Sequence, residues 1–428
     1  MNYTKKIVPG LFLLPFLCHA DGTSLITDSH FDFSVRNDYI YLVSNEYPDY
    51  TNYDMGTWAQ SAQMDYHSGY FYHFGVDVSL YGVTPLWYGS GFYTRHLLKS
   101  KTDNQGNIQA VGFVKFPQYV LKQRFNWDDA TLDFFEGRRV LYDFGVIDTK
   151  EVATTSAWTG VTAELTIKDW NFRAGYLGKY SDADESDDEK LLTKDSKEIG
   201  YVVTSDIKYR RNGNVFRAYA GESENYLRRY YLEYTRDFPR QQLTFKFMGE
   251  DGLSKWKTMS ASNRFFDNHA WMAGIEYQAF FPKNFLTVAW DYTSAPRSTR
   301  LGKFEWGMVE NGQGNDNFFS AGGARDYTND GEHLIGALWI HDLTPEFQLG
   351  SFFRHGFGMR FQGNDLHEQE IGLIALWSPE WQKSLSMNLV VARDRGFKRA
   401  YDNTPYLVDG RAQTSHGKAI TTVVKYTF

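Results

Sequence analysis

From about residue 31 to the C-terminus the chain repeats one pattern, alternating segments of about ten residues separated by turn residues. Tyr72, Phe74, Val76, Val78 and Leu80 alternate with His73, Gly75, Asp77 and Ser79. Trp271, Ala273, Ile275, Tyr277 and Ala279 alternate with Met272, Gly274, Glu276 and Gln278, and Leu286, Val288, Trp290 and Tyr292 with Thr287, Ala289 and Asp291. Near the end, Leu385, Met387, Leu389 and Val391 alternate with Ser386, Asn388 and Val390. A period of two sends successive side chains to opposite faces of an extended strand. One face of such a strand suits lipid and the other suits water. His333 to His341 is apolar on both faces, and Val215 to Gly221 can be phased either way. Segments running from 31–40 and 57–67, through 109–116, to 384–393 and 419–428 predict about eighteen strands.

The connections are of two kinds. His67-Ser68-Gly69-Tyr70, Arg211-Asn212-Gly213-Asn214 and Pro282-Lys283-Asn284 are tight turns. The stretches 181–199, 294–331 and 394–418 are long and polar, and are expected to be outer loops. Short turns at one end and long loops at the other are the arrangement of a transmembrane barrel. The pattern therefore predicts an all-β fold, a transmembrane antiparallel β-barrel.

The two ends of the chain agree. Lys5 and Lys6 precede a short apolar stretch, Ile7 to Leu17, and Cys18-His19-Ala20 presents small residues at a cleavage site. The stretch is too short to span a bilayer, so residues 1–20 are read as a secretory signal peptide and 21–428 as the barrel domain. At the other end Ile420, Thr422, Val424, Tyr426 and Phe428 share one strand face, with Ala419, Thr421, Val423, Lys425 and Thr427 on the other. A closing strand ending on an aromatic residue is similar to the insertion signal of bacterial outer-membrane barrels, which assigns Tyr426 and Phe428 to assembly.

Composition narrows the function class. Aromatic residues make up 17% of the chain against a mean hydropathy of −0.49. A wet interior with aromatic girdles has that signature. Cleavage removes Cys18, the single cysteine, which excludes a disulfide scaffold and thiolate metal sites. It also removes two lysines and takes the formal net charge from −7 to −9, which argues against a nucleic-acid partner. No HExxH, Gly-x-Ser-x-Gly or Walker lysine loop is present, so no enzyme, cofactor or metal is expected. The acidic run Asp182 to Glu189 resembles the start of a calcium loop. It fails at Asp187, where Gly is needed, and at Thr193, where a bidentate Glu belongs, and is read as a solvated outer loop.

Segment 136–157 mixes charge with apolar residues that want burial, namely Val140, Leu141, Phe144, Val146 and Ile147. It is expected to fold inward as a third loop, packing on the wall while Arg138, Arg139, Tyr142 and Asp143 line a constriction. The alternative is an outer loop packed on its neighbours. Arg173, Arg229, Tyr231, Glu233 and Lys246 are assigned to the inner wall, the charged ones because a charge on the lipid face costs about 2–4 kcal/mol at the midplane, with girdle or wall packing the alternative for Tyr231.

Several of these residues carry a resemblance. Arg36-Asn37-Asp38-Tyr39, Trp58-Ala59-Gln60, the run Asp65 to Tyr70, and Phe74-Gly75-Val76-Asp77 are similar to the opening of the OprD family of outer-membrane porins. Segment 130–165, ending Trp158-Thr159-Gly160-Val161, looks like that family's fifth strand, inward third loop and sixth strand. The runs Gly221 to Tyr226, Phe266 to Trp271 and Asn329 to His333, with Tyr230, Tyr231 and Tyr234, resemble the chitoporin branch. The resemblance implies an eighteen-stranded barrel and a substrate-biased porin of the outer membrane, passing small hydrophilic nutrients, with chito-oligosaccharides first and amino acids or small carboxylates as the alternative. A structural barrel or adhesin, or a barrel hydrolase, is the reading from another class. The expected partners are outer-membrane lipid, lipopolysaccharide, the barrel assembly machinery and small hydrophilic solutes, with the chain a monomer or trimer.

Overall fold

The computed structural model describes residues 24–47, 56–89, 97–106 and 108–428. The signal-peptide assignment therefore lies outside the described residues. Eighteen antiparallel strands form a closed barrel. The first nine are β1 (His30–Ser44), β2 (Thr57–His67), β3 (Phe74–Tyr88), β4 (Phe113–Trp127), β5 (Ala130–Arg139), β6 (Ala157–Ile167), β7 (Trp170–Ser181), β8 (Val202–Arg211) and β9 (Asn214–Ser223). The rest are β10 (Leu227–Phe238), β11 (Gln241–Gly252), β12 (His269–Phe281), β13 (Asn284–Ser294), β14 (His333–Asp342), β15 (Phe347–Phe361), β16 (Asn364–Trp377), β17 (Leu385–Phe397) and β18 (Thr414–Thr427). Each pairs with its sequence neighbour. β18 closes on β1, from Ser34 opposite Thr427 to Ser44 opposite Gly417. Closure leaves no free sheet edge.

The period-two expectation holds along the wall. Val76, Phe216, Leu232, Ile275, Val288, Ile371 and Leu373 are exposed on the outer face. Asp77, Thr204, Asp206, Arg217 and Glu370 are buried on the inner face. Aromatic contacts mark both rims of the outer belt. Phe33 meets Phe428 at 4.9 Å and Phe280 meets Phe285 at 5.3 Å at one end. Trp271, Tyr292, His333 and Phe357 form a chain at 4.7–5.4 Å at the other. Tyr426 and Phe428 lie at the first rim, and Phe428 is 71% exposed.

Several strands run longer than the sequence predicts, and the largest difference in boundary is at β4. The predicted segment 109–116 straddles a short hairpin strand, Ile108–Val111, and the start of β4. β4 runs on to Trp127 through Lys115, Pro117, Lys122 and Arg124. Lys115 and Lys122 are buried on the inner wall, so their charge does not interrupt the strand.

The largest correction concerns the loops. Residues 140–156, between β5 and β6, fold inward as expected. Residues 295–332, between β13 and β14, do so as well, although they read as an outer loop. The two segments are joined across the lumen by an Ile147–Gly314 bridge, and the Asp148 N–H donates to the Gln313 carbonyl at 3.1 Å. They share an apolar core inside the barrel. Phe144, Val146 and Ile147 come from one loop, Phe304, Met308, Val309 and Phe318 from the other, and Tyr219, Tyr231, Met248 and Met272 from the wall. The wall makes room at glycines: a Cβ on Gly221 would lie 2.5 Å from Val146 Cγ2, and one on Gly336 would lie 2.3 Å from Phe319 Cε1. The second contact explains why β14 is apolar on both faces. Its inner face is covered by the inserted loop and not by water.

Candidate functional site

The inserted loop 140–156 is tethered at both ends of its reach. Asp143 has φ of 46°, a left-handed conformation that Asp tolerates, and its N–H donates to Asp148 Oδ1 at 2.9 Å. The turn aims its carboxylate at β9, where Arg217 Nη1 donates to both oxygens at 2.8 Å. Asn315 and Asn317 of the second loop donate to the same carboxylate at 2.6 and 3.2 Å. Burial acts to raise the Asp143 carboxyl, but the Arg217 guanidinium and the two amides hold it below its ordinary value. On the far side Glu151 accepts from Arg36 of β1 at 2.6 Å and from the Tyr142 hydroxyl at 3.1 Å. The loop thus spans the lumen from β9 to β1, and the Asp143 side chain remains 48% exposed.

Beneath it runs a ladder of alternating charge. Arg139 at the end of β5 pairs with Glu164 of β6 at 2.7 Å. Glu164 faces Arg173 of β7 in register, and Arg173 binds Asp206 of β8 and the Asp143 carbonyl. Asp206 also accepts from Arg217 at 2.6 Å. Arg217 faces Glu233 of β10, which faces Lys246 of β11, and Lys246 pairs with Glu276 of β12 at 2.9 Å. Each group sits opposite a charge of the other sign, so the wall carries a strong local field with little net charge.

This placement sorts the predicted site residues. Arg139, Tyr142, Asp143, Arg173, Glu233 and Lys246 gather on the inner wall or the loop above it. Arg138 does not. It shares the outer face with Tyr119, its ladder partner, and is buried under loop 182–190, bonding Asp188 at 3.0 Å and the Phe116 and Ser186 carbonyls at 2.9 Å. Consecutive strand residues point to opposite faces, so Arg138 and Arg139 cannot both face the lumen. The same contact corrects the acidic run. Asp188 is tied to Arg138, and Glu185 is tied to Lys99 at 2.9 Å, so the run is a pinned rim segment.

Arg229 and Tyr231 are on the inner wall but are 0% exposed, so they do not line a path for solutes. Arg229 pairs with Glu250 at 3.1 Å and is capped by the Glu305 and Trp306 carbonyls at 2.5 Å. Tyr231 stacks on Tyr219 at 4.5 Å and donates to Glu233 at 2.7 Å. Both are covered by the loop 295–332, whose polar composition predicts an outer loop.

The sequence reading missed Arg36, Glu164, Asp206, Arg217, Glu276 and the two asparagines. The phase of β9 was the available signal, since putting Arg217 inward also puts Phe216 outward. The second loop had a signal too, in the apolar residues Phe304, Trp306, Met308, Phe318 and Phe319. Its far end is anchored by Arg325, which pairs with Glu46 at 2.9 Å, Glu368 at 3.3 Å and Asp394 at 2.6 Å. Arg399 of the last long loop joins Glu46 at 2.8 Å and Glu368 at 2.7 Å. Burial and the Glu368 charge push the neighbouring Glu332 carboxyl well up. At the opposite mouth His30, Asp32 and His67 bring possible ligand atoms within 4.8 Å of one another, with His67 already paired to Asp77 at 3.1 Å.

No protein-family model matches the sequence, and no curated protein sequence matches it significantly. Solved structures do match its shape. OccAB1 of Acinetobacter baumannii superposes with a TM-score of 0.73 at 16% identity, over 95% of this chain and 99% of that one. OccK9 (OpdG) of Pseudomonas aeruginosa gives 0.74 at 13% identity, over 95% and 99%. OccAB3 of Acinetobacter baumannii gives 0.72 at 14% identity, over 94% and 100%. The chain has the closed eighteen-stranded fold of OprD-type porins.

Proposed function

We propose that this protein is an outer-membrane porin for passive diffusion of small hydrophilic solutes, biased toward charged and zwitterionic ones such as amino acids and small carboxylates. One observation carries the reading: two loops fold into the barrel and leave the lumen bordered by Asp143, Glu151 and the partly exposed members of the charge ladder from Arg139 to Glu276, with Asp206 and Arg217 buried behind them. Groups of both signs at fixed positions orient a zwitterion, and the narrow space weakens screening by water. The apolar outer belt and its aromatic rims support location in the outer membrane, with the long loops facing outward. Tyr426 and Phe428 then serve assembly, and the mature chain begins at Asp21.

A second reading keeps chito-oligosaccharides as the solute. It draws on Tyr142, a residue 48% exposed on the loop, whose ring can stack on a sugar face. The burial of Tyr231 removes the other predicted platform, which is why the charged-solute reading comes first.

Liposome swelling with arginine, glutamate, glycine and N-acetylglucosamine oligomers tests the choice. The charged and zwitterionic solutes are expected to enter faster than neutral sugars of equal size. Faster entry of the chito-oligosaccharides would transfer the assignment to the second reading. No swelling with any solute would end the porin reading.

A further inference from the structure

The outer face is not uniform at the level of the long loops. On one side that level is aromatic, with Trp271, Tyr292 and Phe357. On the side formed by β16, β17 and β18 it is cationic. Arg393 and Lys418 are directly opposite each other in the β17–β18 ladder, and Arg395 and His416 are the next outward pair toward the loops. All four are exposed. Their outward direction follows from the strand phase: Asp394 and Gly417, the ladder pair between them, are buried on the inner side. Among the described residues Arg393, Arg395 and Lys418 make no ion pair.

Height decides what such a patch meets. Lys418 lies ten positions above Phe428 on one strand face, through Ile420, Thr422, Val424 and Tyr426. At ~3.4 Å per residue and a tilt of ~40°, that places it roughly 26 Å above the lower aromatic rim. The apolar band of such barrels is ~25 Å tall, so the cations emerge where headgroups of the outer leaflet begin. Next to them is a cleft of about 320 Å³ between the outer strand face and the segment 412–414, lined by His355, Asp365, His367, Gln369, Arg395 and Gln413. The hairpin Leu407–Val408 with Arg411–Ala412 leans against β16, where the Ala412 N–H donates to Asn364 Oδ1 at 3.0 Å. It adds Arg411, also exposed, to the same side. Unpaired cations at a lipid boundary call for anions, and hydroxyl-rich headgroups suit the polar cleft beside them.

We propose that Arg393, Arg395 and Lys418 dock a phosphorylated glycolipid of the outer leaflet, the cations holding its phosphates and the adjacent cleft its sugar. The inference rests on the outward orientation of the long loops in the porin reading. The chemistry selects two features together, phosphate charge and a saccharide body. Simple anionic phospholipids supply only the first.

Mature full-length protein in detergent, mixed with bisphosphorylated lipid A and analysed by native mass spectrometry, tests this. Dephosphorylated lipid A, phosphatidylglycerol and inorganic phosphate form the comparison arms. Wild type is expected to retain bisphosphorylated lipid A about 10-fold better than any of the others, and R393Q/R395Q/K418Q to lose that margin. K283Q, at a turn on the opposite rim, should keep it. Equal retention by wild type and triple variant overturns the proposal, as does equal retention of dephosphorylated lipid A or of phosphatidylglycerol by wild type. If the triple variant does not assemble, wild type alone decides: a margin unchanged between low and high salt refutes charge-based docking. Planar-bilayer conductance of the same preparations reads the porin function separately, so failure of one reading is distinguishable from failure of the other.

Discussion

Asp143→Asn removes one charge from the inserted loop and almost no volume. In the folded protein that carboxylate takes two hydrogen bonds from Arg217 and one each from Asn315 and Asn317. Removing one partner of a fully buried ion pair costs about 3–5 kcal/mol. Asp143 is half exposed and Arg217 keeps Asp206, so solvent screening reduces the cost to about 1–2 kcal/mol. Against that stand Phe144, Val146 and Ile147, fully or almost fully buried and each contributing about 1.5–3 kcal/mol. The loop therefore stays seated, but its tether at β9 opens about tenfold more often, since 1.4 kcal/mol is a factor of ten. Two readouts follow in planar bilayers. Open-channel current noise should rise. The reversal potential in a salt gradient should shift toward anions, because a fixed negative charge has left the lumen. Asp365→Asn, at the exposed outer rim, removes the same charge and should shift neither. An unchanged reversal potential in Asp143→Asn would show that the carboxylate does not border the conducting path, and the site assignment would fall.

Three further outcomes are expected. Arg139→Ala should weaken anion preference by leaving Glu164 unpaired in the lumen, whereas Arg138→Ala should leave ion selectivity alone and instead free loop 182–190, detected as faster proteolysis there. Burial, with Asp148 and Asp326 nearby, pushes the Asp316 carboxyl up to about 6 from its ordinary 3.8, so the docked loop favours the neutral acid. That stability is complete below about pH 4 and is lost as pH rises through about 6, and Asp316→Asn should flatten the fall in thermal midpoint across that window. Phe428→Ser should lower the yield of heat-modifiable barrel far more than Lys425→Ala, measured on denaturing gels with and without boiling; equal yields would remove the assembly role from the terminal aromatic.

The barrel was legible in the sequence because its physics is local. A strand between lipid and water must alternate with period two, and a closed barrel must repeat that strand with turns of two lengths. Every predicted segment overlaps a barrel strand, although 109–116 also takes in a short hairpin strand, and the inward fold of 140–156 followed from apolar residues with nowhere else to go. Local pattern could not supply the contents of the lumen. Loop 295–332 spreads its apolar residues among polar ones, and whether it covers the inner wall depends on Gly336 leaving space for Phe319 and on Arg325 meeting carboxylates from three distant segments. Those contacts exist only once the barrel has closed. They bury Arg229 and Tyr231, which strand phase alone had placed in the pore, and they bring Asp143 to Arg217. Strand phase also separates Arg138 from Arg139, a split the sequence reading had overridden by treating both as loop residues. Alternation along a strand determined the wall; the interior was decided by packing between segments far apart in the chain, where space and charge can be matched only in three dimensions.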